Sequence, residues 1–298
     1  METSMIGIDV GGTTIKGIRL SPRGEIESEV RMSTPSPDPS GALLVDAVAL
    51  VVHRLGGASS SPVGLVVPGI VDDNRGVAVW SANIGYRDVP LRELVSARLG
   101  VPVAFGQDVR AGALAELRLS AERTDSAQPS TSMAFVAIGT GVAAAFVVDG
   151  SLVVSDGWAG EIGQLVFPSG PHAGRRMEEI ASASATARRA GAPDALAVAR
   201  RVESGDSAAR AVWQETVEVL ADSLAGIVVS LAPATIVLGG GLAQSGELLL
   251  EPLRLALQDR IGQLRAPRLT ASVHNDLAAA LGACLLAADL RDRLGADS

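Results

Sequence analysis

The sequence carries a single cysteine, Cys284, in 298 residues. An intrachain disulfide is thereby excluded, and so is a metal site built on several thiolates. No apolar run reaches the about 18 residues that a membrane-spanning helix needs. The opening segment, Met1-Glu2-Thr3-Ser4-Met5, has neither the basic nor the apolar region of a signal peptide. Both absences set the expectation of a cytoplasmic protein with no membrane partner. Lys/Arg-rich runs are missing too, and the formal net charge is −8. That balance is wrong for a nucleic-acid partner. No G-x-x-x-x-G-K-[ST] sequence occurs, which excludes an ordinary P-loop nucleotide site. Any phosphate must therefore be held locally, by backbone N–H groups and a few cations.

What is present is ample core. Hydrophobic residues make up 47% of the chain and charged residues 19%, so a globular fold of one large or two medium domains is expected. Ile6–Val10, Ile15–Leu20 and Glu25–Met32 read as strands joined by the turns Gly11-Gly12-Thr13-Thr14 and Ser21-Pro22-Arg23-Gly24, a three-stranded antiparallel meander. Ala42–Leu55 has helical apolar spacing. Val63–Val67 is a strand ending at Pro68-Gly69, Leu91–Leu99 a helix, Val101–Phe105 a strand and Val109–Leu119 a helix. Residues 120–132 are polar and serve as the linker. The opening pattern then returns: Met133–Ile138, the turn Gly139-Thr140-Gly141, Val142–Val148, the turn Asp149-Gly150, and Ser151–Val154. Helices at Met177–Ala190, Ala195–Glu203 and Ala208–Ser230, a strand at Thr235–Leu238, the run Gly239-Gly240-Gly241 and helices at Leu248–Ile261 and Ala278–Leu294 complete the chain. Alternating strands and helices predict an α/β fold. The repeated opening predicts a duplication: a smaller domain at 1–119 and a larger one at 120–298, the last helix returning to the first, with a cleft between the halves.

Several segments carry chemistry. In Asp9-Val10-Gly11-Gly12-Thr13-Thr14-Ile15-Lys16, two glycines let the backbone approach a ligand. Turn amides make an anion pocket, Thr13 and Thr14 add hydroxyls, and Lys16 adds a cation. Asp9 can hold Mg²⁺, usually through water. Taken alone, the segment reads equally as an ordinary hairpin turn. Gly139-Thr140-Gly141 is its counterpart. With Ala144 and Glu161 it also fits part of a dinucleotide fingerprint, but that fingerprint must open a helix and this segment runs on as a strand. Gly240 and Gly241 lie in a strand-to-helix turn that suits a flat ring or a phosphate. Asp108, at the end of Gly106-Gln107-Asp108, is read from its place as a helix N-cap or as a base at a cleft. Glu161, between Gly160 and Ile162-Gly163-Gln164, can accept hydrogen bonds from hydroxyls or be a solvated loop carboxylate. Glu178 heads a helical stretch, where the helix dipole already favours it.

In order, these segments resemble the ROK family (repressors, open reading frames and kinases) of the actin-like ATPase superfamily, from Ile6 to about Ala288. The resemblance rests on Ile-Asp-Val-Gly-Gly-Thr-Thr-Ile-Lys, Val-Pro-Gly-Ile-Val-Asp (67–72), Ser-Ala-Asn-Ile-Gly-Tyr (81–86), Gln-Asp (107–108), Ala-Leu-Ala-Glu (113–116), Gly-Thr-Gly, Gly-Glu-Ile-Gly-Gln (160–164), Glu-Glu-Ile-Ala-Ser, and Ile-Val-Leu-Gly-Gly-Gly (236–241). It implies a duplicated actin-like (ribonuclease H-like) fold and an ATP-dependent, Mg²⁺-assisted sugar kinase that works as a homodimer. It makes Asp108 the catalytic base. It places Asn83, Glu161 and Glu178 on sugar hydroxyls and Gly69 beside the sugar. Gly12, Thr13, Lys16, Thr140 and Gly141 face the ATP phosphates, and Gly240 and Gly241 lie near the adenosine. A regulator of the same family would carry an N-terminal helix-turn-helix, whereas here the first phosphate motif begins within ten residues of Met1.

The chain departs from the family pattern in ways that bear on the substrate. Gln107 stands where an Asn usually precedes the catalytic Asp, and Gln164 ends a usual E-x-G-H. Ser169–Arg176 occupies the place of a C-x-C-G-x-x-G-C zinc motif without a cysteine, and His172 alone cannot replace the ligands, so no structural zinc is expected. Ala143-Ala144-Ala145 follows Gly141 where more glycine is usual. Gln107 and Gln164 both fall at sugar contacts, and unpaired buried polar groups reject hydroxyl patterns they cannot satisfy. The expected substrate is glucose or a glucose-like amino sugar such as kanosamine, which a ROK-like group phosphorylates in antibiotic pathways. A non-catalytic sugar-binding protein is the alternative.

Overall fold

The structure, a computed structural model, describes residues 4–57, 61–119 and 132–296. The sequence-predicted linker lies outside the described residues except for Ser132. In chain order the elements are β1 (Met5–Val10), β2 (Thr14–Leu20), β3 (Ile26–Ser33), α1 (Ala42–Arg54), β4 (Val63–Val67), β5 (Ile70–Asp72), β6 (Val77–Trp80), β7 (Arg87–Val89), α2 (Leu91–Leu99), β8 (Val103–Gln107), α3 (Asp108–Leu119), β9 (Met133–Ile138), β10 (Val142–Val148) and β11 (Ser151–Leu152). They continue with α4 (Glu178–Ala181), α5 (Ala183–Arg189), α6 (Ala195–Glu203), α7 (Ser207–Leu231), β12 (Thr235–Gly239), α8 (Glu247–Ile261), β13 (Arg268–Ala271) and α9 (Ala278–Ala296). The chain forms two compact units. One comprises Met1–Glu122, Val154–Trp158 and Leu277–Ser298, the other Arg123–Val153 and Ala159–Asp276.

The first unit holds a five-stranded sheet in the order β3-β2-β1-β4-β8. β1 and β2 pair antiparallel, as do β2 and β3, while β4 lies parallel to β1 and β8 parallel to β4. β1 is buried along its whole length because helices cover both faces. α1 and α2 bring Leu44, Val48, Leu91 and Val95 onto Ile8 and Leu65. On the other face α9 brings Ala280, Cys284 and Ala287 onto Met5 and Ile18. Its run of small residues lets the helix backbone settle on the strands: a Cβ at Gly64 would overlap the Ala283 carbonyl oxygen. β3 is the edge strand, and its exposed residues include Glu27, Glu29 and Arg31, the charged edge that discourages further pairing.

The second unit repeats this order as β11-β10-β9-β12-β13. β9 and β10 pair antiparallel, β12 lies parallel to β9, and β13 parallel to β12. Its core joins Val136, Ile138, Ile236 and Leu238 of the strands to Trp213, Val217 and Leu220 of α7 and Leu249, Leu253 and Leu257 of α8. Each such side chain contributes about 1.5–3 kcal/mol on burial.

The structure corrects the sequence reading in several places. A separate sheet, β5-β6-β7, was not expected. Its strands have three or four residues, and Asp73-Asn74-Arg75-Gly76 between the first two reads as loop. β13 was likewise missed. The predicted helix over Met177–Ala190 is two helices broken at Ser182, whose extended backbone (φ −68°, ψ 158°) and side chain, accepting from the Ala185 N–H, start a new helix. The predicted strand Val101–Phe105 is shifted to Val103–Gln107, and Ser151–Val154 is shortened to two residues. Of the two local readings of Asp108, a helix N-cap or a base at a cleft, the cap is not the one observed: Asp108 is the first residue of α3. The capping bond comes from Gln107, whose Oε1 accepts from the Arg110 N–H at 2.9 Å.

Candidate active site

In the first unit the predicted residues gather at the C-terminal ends of three adjacent parallel strands. Asp9 lies near the end of β1 and opposite Val66 of β4, Pro68-Gly69 follows β4, and Asp108 follows β8, with Val67 opposite Gln107. Open α/β sheets place ligands at this edge. Asp9 is 5% exposed and sits across the ladder from Lys16. The Lys16 ammonium stands 3.6 Å from its carboxylate. The turn between β1 and β2 is fixed by Gly11 N–H to Thr14 O at 2.9 Å, Thr34 N–H to Thr13 O at 3.0 Å and the Thr34 hydroxyl to Gly11 O at 2.7 Å. Thr13 is exposed at the tip. Asn83 lies against this turn, since a Cβ on Gly12 would stand 3.0 Å from Asn83 Nδ2. The Ser36 hydroxyl donates to Asn83 O at 2.6 Å and holds its backbone.

Gly69 makes the turn from β4 to β5 with φ +90°, where a Cβ would overlap the Trp80 carbonyl oxygen. The buried Tyr86 hydroxyl donates to Pro68 O and braces it. Asp108 is half-buried, and its Oδ1 accepts from the Val109 N–H at 2.8 Å. Gln107 is 3% exposed, and its cap on α3 uses its carbonyl oxygen, leaving the amide N–H groups as its remaining polar function. Arg110, three residues on, is buried and donates to Asp73 Oδ1 at 2.8 Å, tying α3 to the loop after β5. Burial pushes the Asp73 carboxyl up, and Arg110 opposes the shift.

In the second unit, Gly139–Gly141 follows β9 and Gly240-Gly241 follows the neighbouring β12, again at C-terminal strand ends. Gly139 N–H donates to Gly141 O at 3.0 Å. Gly240 has φ +83°, and a Cβ there would stand 2.5 Å from Ile138 O, so the two glycine turns touch. Gly160 is pinned to β10 by Ala144 N–H to Gly160 O at 2.8 Å, which delivers Glu161 to the start of the short 3₁₀ turn Ile162–Gln164. Glu178, the first residue of α4, lies over Gly141 and Gly163. A Cβ on either would stand 2.8 or 3.1 Å from its Oε2. Its Oε1 accepts from Gln164 Nε2 at 2.9 Å and lies 3.2 Å from an Arg176 nitrogen. Glycine turn, Gln164 and Glu178 are thus one cluster, which also contains Arg176, a residue the sequence reading did not single out. The segment 165–177 is a hairpin closed by Val166 opposite Arg176 and by Met177 N–H to Leu165 O at 2.8 Å.

His172, on this hairpin, points to α7, with Nε2 3.2 Å from Glu215 Oε1 and its ring 5.9 Å from that of Phe167. Burial first, then Arg175 and Arg189, holds its pKa below the usual histidine range. Its Nδ1 is buried without a partner. A cavity of about 570 Å³ beside it, lined by Phe167, His172, Gln214 and Glu215 among others, contains none of the predicted site residues.

Two sheets of the same strand order, each opened by a strand–turn–strand and each carrying glycine turns at its C-terminal edge, define a duplicated actin-like ATPase fold. The ROK family model matches residues 5–290, and the chain belongs to the ROK family. A glucokinase of Halalkalibacterium halodurans is 31% identical over 281 residues, covering 84% of this chain and 83% of that protein. An N-acetylmannosamine kinase of Escherichia fergusonii is 32% identical over 297 residues, covering 95% and 97%. Among solved structures, the ROK family glucokinase of Streptomyces griseus in complex with glucose and AMPPNP has a TM-score of 0.84 and 25% identity, covering 97% of this chain and 99% of that one. Among the described residues no helix is long and apolar enough to cross a membrane.

Proposed function

We propose that this protein is an ATP-dependent sugar kinase that transfers the γ-phosphoryl group of ATP to the 6-hydroxyl of a hexose, glucose or a glucose-like amino sugar such as kanosamine. The observation that carries the reading is the row of Asp9, Gly69 and Asp108 at the ends of three adjacent parallel strands. Phosphoryl transfer asks a protein mainly for positioning and electrostatic support, and the site offers both. Asp108 orients the sugar hydroxyl and takes its proton late in the transfer. A carboxylate is far too weak a base to ionise an alcohol beforehand. Asn83, Glu161 and Glu178 are the residues assigned to sugar hydroxyls, and Gly69 is assigned to the sugar as well. Gln107 and Gln164 tune which pattern fits. Gly12, Thr13, Lys16, Thr140 and Gly141 take the phosphates, and Gly240 and Gly241 take the adenosine.

Magnesium fits the first turn. One buried carboxylate, Asp9, stands beside one ammonium, Lys16, the sparse donor set of an ion that arrives on substrate phosphates and keeps its waters. When bound there, the ion supplies positive charge to the phosphates. The reading carries with it the cytoplasm, where ATP is available, and a homodimer. Its test is ADP release with Mg-ATP across glucose, mannose, N-acetylglucosamine, N-acetylmannosamine, glucosamine and kanosamine. Selective turnover of one sugar supports the kinase. Plain glucose turnover with poor kanosamine use removes the amino-sugar reading. Sugar binding without turnover moves the assignment to a non-catalytic sugar-binding or sugar-responsive regulatory protein.

A further inference from the structure

Arg176 occupies a place with an unusual division of labour. One side of its guanidinium is anchored three residues along the chain: Nε and Nη2 reach Glu179 Oε1 at 3.4 and 3.1 Å, and the Arg176 N–H donates to Glu179 Oε2 at 2.8 Å. These bonds also hold the Glu179 carboxyl below the usual range, the backbone donor contributing most. The other end, Nη1, is thereby aimed at Gln164 Oε1 at 3.1 Å and lies 3.2 Å from Glu178 Oε1. An arginine has only donors, so the Gln164 amide must turn its oxygen to Arg176. Its Nε2 is then left to donate to Glu178 Oε1 at 2.9 Å. The amide orientation is set by chemistry rather than by choice.

We infer that Arg176 is a positioning residue that sets which sugar hydroxyl pattern the enzyme accepts, by locking Gln164 and saturating one oxygen of Glu178; the inference rests on the sugar-kinase reading. With Oε1 engaged by two donors, Glu178 presents Oε2, the oxygen that lies over Gly141 and Gly163. An acceptor so confined selects a substrate group that donates, a hydroxyl or an ammonium at one position, and penalises a sugar that places an acceptor or a hydrogen there. The side chain is 39% exposed, so the lock comes from its three carboxylate and amide partners together rather than from burial.

The test is steady-state kinetics on the full chain across the hexose panel, with equilibrium sugar binding and thermal denaturation measured alongside. The variants are Arg176→Met, Arg176→Lys, Gln164→Met and the double variant. In Arg176→Met, the KM for the preferred sugar is expected to rise about 10–100-fold. Its kcat and the KM for ATP are expected to stay within about threefold, and the spread of kcat/KM across sugars to narrow. Arg176→Lys restores part of the loss, because one ammonium cannot hold both Glu179 and the Gln164–Glu178 pair. The double variant is expected to lose less than the sum of the two single losses, since both side chains act on the same Glu178 oxygen. Should Arg176→Met fail to fold, Arg176→Lys and Gln164→Met carry the same test. A sugar KM within about twofold of the parent's and an unchanged ranking of sugars would overturn the inference while leaving the kinase intact. So would additive losses in the double variant. If the parent binds sugar without turning it over, the kinase reading fails and the ratio of dissociation constants decides on Arg176. If the parent neither binds nor turns over any sugar, both fail.

Discussion

The two copies of the strand–turn–strand opening share a strand order and differ in turn length and charge. In the first, Asp9 faces Lys16 across the ladder, and Val10 faces Ile15 at the turn. In the second, the same rungs are Ala137 with Ala143 and Ile138 with Val142. One hairpin places a carboxylate and an ammonium 3.6 Å apart beside its glycine turn. The other carries no charge of its own and borrows one, since Glu178 of α4 lies over Gly141. The duplicated frame thus supplies a glycine turn twice, of four residues in the first copy and three in the second, and the side chains divide the work. On the proposed function both turns take phosphates: the first brings its own cation, and the second leaves clearance for a carboxylate that is held from outside the hairpin.

That division can be broken experimentally. The largest effect belongs to Asp108, which lies in neither hairpin. Asp108→Asn is expected to keep sugar affinity and lose about 10²–10⁴ in kcat, read by steady-state kinetics beside a binding titration. A retained kcat removes Asp108 from the chemistry. Next comes the borrowed carboxylate. Gly141→Ala puts a methyl 2.8 Å from Glu178 Oε2. The carboxylate end of Glu178 has to swing aside, which should appear as a roughly tenfold rise in the KM for the sugar. The KM for ATP is expected to rise as well, because Gly141 is also assigned to the phosphates; a sugar KM unchanged by the substitution would mean that Glu178 serves no sugar. Smaller again is the charge of the first hairpin. Lys16→Met is expected to raise the KM for ATP about tenfold with the sugar KM unchanged, and equal shifts in both would merge the two hairpins into one role.

The smallest effect is on stability. Because burial and neighbouring arginines depress the His172 pKa, the unfolded chain binds that proton more readily than the native one. The stability tied to the neutral ring is fully present above the ordinary histidine value of about 6.5 and is lost as pH falls below it. His172→Gln should therefore flatten the fall of the melting temperature between about pH 7 and 5.5, and an unchanged slope would show that the ring does not titrate there.

How much of this was legible depends on range. The meanders were readable because alternation and glycine turns are local signals, and α2 and α6 were read with the bounds the structure gives them. Residues at strand ends, such as Asp9, Gly69 and Asp108, could be named because short motifs mark them. The sheet β5-β6-β7 was hidden by strands too short to show a period, and the break at Ser182 by an alanine-rich stretch that reads as one helix although its cap was in view. Gln107 is not a residue type expected to cap, so the sequence offered only Asp108 for that role, beside its reading as a base, whereas Gln107 Oε1 accepts from the Arg110 N–H. Arg176 carried no signal at all. Its meaning comes from the hairpin that folds it back onto Gln164, twelve residues away.

The central claim is that phosphate moves from ATP to a hexose hydroxyl. Its most direct test is to incubate the protein with Mg-ATP and each hexose and to follow the products by phosphorus NMR. The account predicts ADP and one hexose phosphate in equal amounts, with the phosphate coupled to the protons at C6. ADP formed without sugar phosphate, or a phosphate at another carbon, would contradict it.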